Sequence, residues 1–166
     1  MSYSAQLTFP LVFFYQSSDY SCGPAVARAA LATLVGISVD ESELVPILET
    51  NSEEGTRRPA FERLAGFQGS SIRCHSGTEG SFDGLEKLLL EKHFVLLNYR
   101  EPEEDEPHWA SLLALEEGSI ILADPWHGSP YKLSIDTFYS RWRSGELGEE
   151  KRVETRPWVA FSLVPS

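Results

Sequence analysis

The sequence predicts an α+β domain, with helices concentrated in the first half and an antiparallel sheet in the second. Three observations carry this. Residues 22–35, CGPAVARAALATLV, form one long run of small and apolar residues with a helix-entry proline. Residues 40–50 and 81–92 place apolar side chains at helical spacing. From residue 94 onward the texture changes to short apolar stretches punctuated by turn residues, the pattern of strands. Helices first and strands later indicate segregated layers rather than alternating βαβ units.

The elements follow in order. Residues 11–15, LVFFY, are apolar and aromatic and are expected to form a short strand. The first helix runs from Cys22 to about Val35, with Pro24 in its first turn and Gly36 as the stop. Asp40 is the expected N-cap of a second helix reaching about Thr50, with Leu44, Ile47 and Leu48 on one face. A polar turn over residues 51–58 leads to a third helix over 59–65, ended by Gly66. Residues 70–74 read as a strand. Ser81 caps a fourth helix over 82–92. Residues 94–99 read as a buried strand. Residues 109–115 and 119–123 form two more, joined by the turn Glu116, Glu117, Gly118. A short strand at 131–133, a helix over 135–143 and a closing strand at 158–163 complete the prediction.

The chain has 166 residues and is 42% hydrophobic, which suits a single domain over residues 1–166. Its formal net charge of −11 argues against nucleic acid, whose phosphates need clustered Lys and Arg, and against an anionic membrane surface. No apolar run approaches the ~20 residues that span a bilayer, so membrane insertion is not expected. The first ten residues lack the basic start and uninterrupted apolar core of a signal peptide. Two cysteines, Cys22 and Cys74, do not make a disulfide framework. A cytoplasmic location is the expectation. No Cys-x-x-Cys, His-x-x-x-His or Gly-rich phosphate loop is present, so neither a metal nor a nucleotide cofactor is expected.

Cys22 is the informative cysteine. It stands at the mouth of the first helix, whose amino terminus carries partial positive charge and favours thiolate over thiol. Gly23 permits close backbone approach, and the helix start offers N–H groups to a developing oxyanion. Gln16 lies just upstream, where its amide can fold back toward the sulfur. The predicted hairpin has a further consequence. His108 precedes one of its strands and Asp124 follows the other, so the two side chains share one end of it. A carboxylate there orients the imidazole and stabilises its charged form. Trp109 and Trp126 are the aromatic residues available to wall a groove, although a tryptophan beside a strand is more often core. His75 and His93 lack a patterned partner, and His127 lies near Asp124. The acidic run over residues 101–107 is either a solvated loop or a groove rim that prefers basic segments.

Cysteine, histidine and carboxylate in that chain order, with glutamine ahead of the cysteine, are the parts of a papain-like thiol hydrolase. The sequence around them resembles the double-glycine leader peptidase family: the cysteine peptidase domains at the front of bacteriocin-exporting ABC transporters and their stand-alone relatives. The resemblance rests on Gln16, five residues, then Cys22-Gly23-Pro24-Ala25; Gly55-Thr56 ahead of Leu64-Ala65-Gly66; His108-Trp109; Asp124-Pro125; and Phe138 with Trp142. It implies a papain-like fold and cofactor-free cleavage of a peptide or protein substrate. By position it makes Cys22 the nucleophile, His108 the general base and acid, Asp124 the orienting carboxylate and Gln16 the oxyanion donor. Two other outcomes use the same parts: a peptide-binding module that does not cut, and a thiol-dependent transpeptidase or glutamine deamidase.

Overall fold

A computed structural model describes residues 2–144 and 153–164. The helices are α1 (Cys22–Val35), α2 (Glu41–Ile47), α3 (Phe82–Leu90) and α4 (Ile135–Arg141). The strands are β1 (Ala5–Gln6), β2 (Ile72–Gly77), β3 (Phe94–Arg100), β4 (Pro107–Glu116), β5 (Ser119–Asp124), β6 (Gly128–Ser134) and β7 (Trp158–Leu163). They form one antiparallel sheet in the order β2-β7-β3-β4-β5-β6, with β1 added beside β4.

The layering follows from alternation along the central strands. On β3, Phe94 and Leu96 face one side, and pack with α1, α2 and the segment at residues 58–64. Val95, Leu97 and Tyr99 face the other, and pack with Phe82, Leu85 and Leu89 of α3 and with Phe138 of α4. β3 is therefore buried on both faces, which is why it reads as an unbroken apolar run. The helices of the first half cover one face of the sheet, as the α+β reading expects, and α3 and α4 cover the second face.

Helix α1 begins and ends where expected, with Gly36 left-handed at φ 67° and its N–H closing on Ala32 and Leu31 carbonyls. Ser81 caps α3 by accepting from the Gly84 N–H at 3.0 Å. Other details differ. Residues 11–15 form no strand. Their apolar side chains instead pack on α1: Leu11 and Phe14 join its core, and the Arg28 guanidinium lies 3.8 Å from the centre of the Phe14 ring. The Val12 N–H is satisfied by Thr33 Oγ1 at 2.9 Å, so no neighbouring strand is needed. Helix α2 stops at Ile47, one residue after the internal Pro46, and Asp40 leads into it without a side-chain cap bond. Residues 58–64 form a 3-10 helix, not an α-helix.

Trp142 closes the second core. It is 1% exposed, packs against Phe82 and Phe138, and donates its indole N–H to the Pro157 carbonyl at 2.9 Å. Trp142→Ala is expected to destabilise the protein by about 3–5 kcal/mol in urea unfolding. Leu90→Ala, at a side chain 65% exposed, is expected to change stability by less than ~0.5 kcal/mol. Equal effects would contradict this account of the core.

Candidate active site

Cys22 is the first residue of α1 and is 6% exposed. The approach to it is tied down locally. Ser18 N–H donates to Ser21 Oγ at 3.0 Å, and Ser21 Oγ donates back to the Ser18 carbonyl at 3.2 Å. The next residue, Gly23, touches Thr56 closely: a Cβ there would sit 2.1 Å from Thr56 Oγ1. Thr56 is held in turn, since its Oγ1 lies 2.6 Å from Thr50 Oγ1 and its carbonyl accepts the Trp109 indole N–H at 2.8 Å. The Trp109 backbone N–H donates to the Cys22 sulfur at 3.5 Å. Helix α1 and strand β4 thus meet at the sulfur, with Thr56 as a wedge between them.

The β4–β5 hairpin forms as its turn predicts, with Ser119 opposite Glu116 and Ala123 opposite Ser111. His108 and Asp124 consequently meet at one end, with His108 Nε2 2.6 Å from Asp124 Oδ1. Both are buried, Asp124 completely. With Nε2 committed to Asp124, Nδ1 is the ring nitrogen left for the Cys22 sulfur, which lies near enough to act on the charge of the ring. The Trp109 N–H bond to the sulfur and the His108–Asp124 bond thus bring Cys22, His108 and Asp124 to one end of the sheet.

Asp124 is the most heavily bonded group here. Its Oδ1 also accepts from the backbone N–H of Trp126 at 2.8 Å and of His127 at 3.0 Å. Its Oδ2 accepts from the Tyr99 hydroxyl. Burial alone drives a carboxyl pKa upward. Here the bond and charge of His108, the Tyr99 hydroxyl and the His127 N–H outweigh it and hold Asp124 below its ordinary 3.8. Burial and the Asp124 charge push the Tyr99 phenol far upward, so it stays a donor. For His108, burial opposes the charged ring. The Cys22 sulfur beside the ring, together with the bond to Asp124 and its charge, overcomes it and raises His108 to about 10. A raised histidine contributes stability that is complete below its unfolded value of 6.5 and is lost as pH rises through about 10.

The remaining residues singled out from the sequence take these positions. The Gln16 backbone N–H donates to the Pro125 carbonyl at 3.1 Å, which ties it to the turn after Asp124. Its side-chain amide donates to the Ser18 carbonyl at 2.7 Å, and its buried Oε1 has no partner among the described residues. The Trp109 ring lies in the core, edge-on to Phe61 at 4.8 Å. Trp126 is 46% exposed on the turn after β5. Burial pushes the Cys74 thiol up to about 12, with Glu62 adding to it. In the acidic loop Glu101 is buried and Asp105 pairs with Arg100 and Arg141, while Glu103, Glu104 and Glu106 are exposed.

Tyr99 was not legible as a site residue. The cross-strand register that puts it opposite His108 is the signal that finds it. A cleft of about 470 Å³ is lined in part by Thr56, Trp109 and Asn98. Its walls carry Arg57, Arg58 and Arg63, paired with Glu54, Glu154 and Glu49 respectively. Among the described residues no three His, Cys, Asp or Glu side chains group as a metal site requires, and no helix is long and apolar enough to cross a membrane.

The Tyr99 bond generates a prediction. Tyr99→Phe removes one donor from a buried carboxylate and is expected to cost about 1.5–3 kcal/mol near neutral pH. Asp124 has a depressed folded pKa, so this contribution exists above 3.8 and is lost as pH falls through the lower folded value. Urea unfolding of both proteins over a pH series should therefore show the penalty shrinking in acid. A penalty that does not change with pH would contradict the assignment.

No protein-family model matches the chain. It is 31% identical over 114 residues to an uncharacterized protein of Methanothermobacter thermautotrophicus, covering 69% of this chain and 71% of that one. Among solved structures it is similar to a putative C39-like peptidase from Bacillus anthracis, with TM-score 0.70, 15% identity, and 98% and 99% of the two chains covered. It is also similar to a double glycine motif protease from an AMS/PCAT transporter in complex with the leader peptide. There the TM-score is 0.62 and the identity 12%, with 98% of this chain and 95% of that one covered. The chain belongs to one family with the Methanothermobacter protein, and its fold is the papain-like fold of the C39-like and double-glycine peptidases.

Proposed function

We propose that the protein is a papain-like cysteine peptidase, or amidohydrolase, acting on a peptide or protein substrate through Cys22, His108 and Asp124. The observation that carries this reading is the convergence of the Cys22 sulfur, held by the Trp109 N–H, with the His108 imidazole and the Asp124 carboxylate bonded to that imidazole. The shared fold supports it, and the leader peptide bound to one structural neighbour makes a peptide the first substrate class to test.

In the proposed reaction the Cys22 sulfur attacks an amide carbonyl as thiolate, and protonated His108 passes its proton from Nδ1 to the leaving amine. A thioester remains on Cys22. Water then attacks it, with His108 as base, and hydrolysis releases the acid and restores the thiolate–imidazolium pair. Asp124 keeps the ring in position and carries no proton itself. The Trp109 N–H, already directed at the sulfur, stabilises its negative charge between turnovers. The oxyanion is placed at the start of α1, where the first N–H groups of a helix have no helical partner. Gln16 is the proposed side-chain donor. Its amide carries two hydrogens, and the bond to Ser18 uses one.

The test uses iodoacetamide and fluorogenic peptides carrying two glycines before the scissile bond. Cys22 is expected to be alkylated faster than Cys74, whose thiol is held protonated near neutral pH. Peptide cleavage should disappear on alkylation and fall about 10²–10⁴-fold in His108→Ala. Equal labelling of the two cysteines, or cleavage that survives Cys22→Ala, would refute the proposal. Mass spectrometry of the products separates the alternatives: a broken bond, a joined peptide, the small mass gain of deamidation, or a bound but unchanged peptide.

A further inference from the structure

Next to Asp124, joined to it through the His127 backbone N–H, lies a second carboxylate and imidazole. His127 Nε2 is 3.0 Å from Glu101 Oε2, and the two side chains are only 8% and 6% exposed. The proposed chemistry gives neither group a role. Placing an ionisable pair out of water is costly, and well-packed apolar residues often replace such pairs without loss of stability. Stability alone is therefore a weak reason for this pair to be here.

Its connections suggest what it does. Glu101 gathers the acidic loop around itself: it accepts from the Glu103 N–H at 2.9 Å and from the Glu104 N–H, and its own N–H donates to the Glu106 carbonyl at 2.9 Å. These bonds and His127 keep its carboxyl below its ordinary range despite burial. His127 grips in the other direction. Its ring stacks on Tyr131 with centroids 4.3 Å apart and 9° between planes. Its backbone N–H donates to Asp124 Oδ1 at 3.0 Å, beside the Trp126 N–H at 2.8 Å. The charged and titratable groups facing His127 are thus Glu101 from the loop, Asp124 from β5 and Tyr131 from β6. The turn from Asp124 to Gly128 supplies two of the four donors to Asp124, and Glu101 and Tyr131 fix its His127 side chain.

We propose that Glu101 and His127 are a positioning pair: by pinning the turn after β5 they hold its two N–H groups on Asp124, and through Asp124 they set the His108 ring against Cys22. The inference rests on the thiol-hydrolase reading and adds two residues to it. Release of His127 lets the turn swing and withdraws half of the donors to Asp124. A misplacement on the order of 1 Å at a reacting group can cost ~10²-fold in rate.

The experiment compares wild type with two His127 variants. His127→Phe keeps a flat ring for Tyr131 and removes the donor to Glu101. His127→Gln restores an amide N–H at a similar reach. The readouts are the rate of Cys22 alkylation by iodoacetamide across a pH series, followed by mass spectrometry, and kcat against KM on a cleaved peptide. His127→Phe is expected to slow alkylation and move its midpoint to higher pH, because a misaligned imidazolium supports the thiolate less well. It is also expected to lower kcat about 10–100-fold with little change in KM. His127→Gln should recover most of both losses, and Glu101→Gln, which keeps an oxygen for the loop N–H groups, should shift both in the same direction as His127→Phe. Should His127→Phe fail to fold, Glu101→Gln carries the test. A rapidly labelled wild type with an unchanged profile in the folded variants, or equal losses in His127→Phe and His127→Gln, overturns the positioning pair alone. A wild type in which Cys22 reacts no faster than Cys74 overturns the thiol-hydrolase reading beneath it.

Discussion

Asp124 is a carboxylate with no exposure to solvent, and it stays charged only because protein donors replace the water it has lost. Four groups do this: the His108 ring, the Tyr99 hydroxyl and the backbone N–H groups of Trp126 and His127. Three constraints of the fold bring them together. Antiparallel pairing of β3 with β4 puts Tyr99 opposite His108. The β4–β5 hairpin delivers the carboxylate to the same end. The turn into β6 folds its N–H groups back over it, and Gln16 is fastened to that turn through Pro125. The sheet therefore supplies a preorganised anion, which orients the imidazole beside it and adds to the support of its charge.

The sulfur reaches this assembly from the helical layer. Helix α1 packs over the face of the sheet that carries Phe94, Leu96 and Trp109, and its first residue lies at the sheet end where His108 sits. Gly23 lets Thr56 fit against the helix start, and Thr56 is bound to the Trp109 indole. One residue, Trp109, thus contributes its ring to the core and its backbone N–H to the sulfur. Packing and site geometry are not separable at this position. A change that loosens the core beneath Trp109 also shifts a donor to Cys22.

Much of this arrangement was legible in the sequence because it depends on local signals. The helix at Cys22 announces itself by composition and by Pro24 and Gly36. The meeting of His108 with Asp124 follows from a single turn, closed by Gly118 at φ 73°. What was not legible depends on contacts between distant segments. Residues 11–15 look like a strand because they are apolar and aromatic, yet that character serves packing on α1. Tyr99 looks like one more core aromatic until register places its hydroxyl on Asp124. Glu101 is one acid among several in the sequence, and only the folded loop distinguishes it from the exposed Glu103 and Glu104. Gly23 invites close approach by some backbone or ligand, and the structure supplies Thr56.

The central claim is that Cys22, His108 and Asp124 form a single electrostatic unit, in which the imidazole owes its charge to the neighbours on both sides. Nitrogen-15 NMR titration of His108 in the wild type and in Cys22→Ala tests this directly. The account predicts a wild-type value near the raised figure of about 10 and a clear fall on removal of the sulfur, because burial then opposes the charge with Asp124 alone supporting it. An ordinary histidine value in the wild type, or the same value in both proteins, would contradict it.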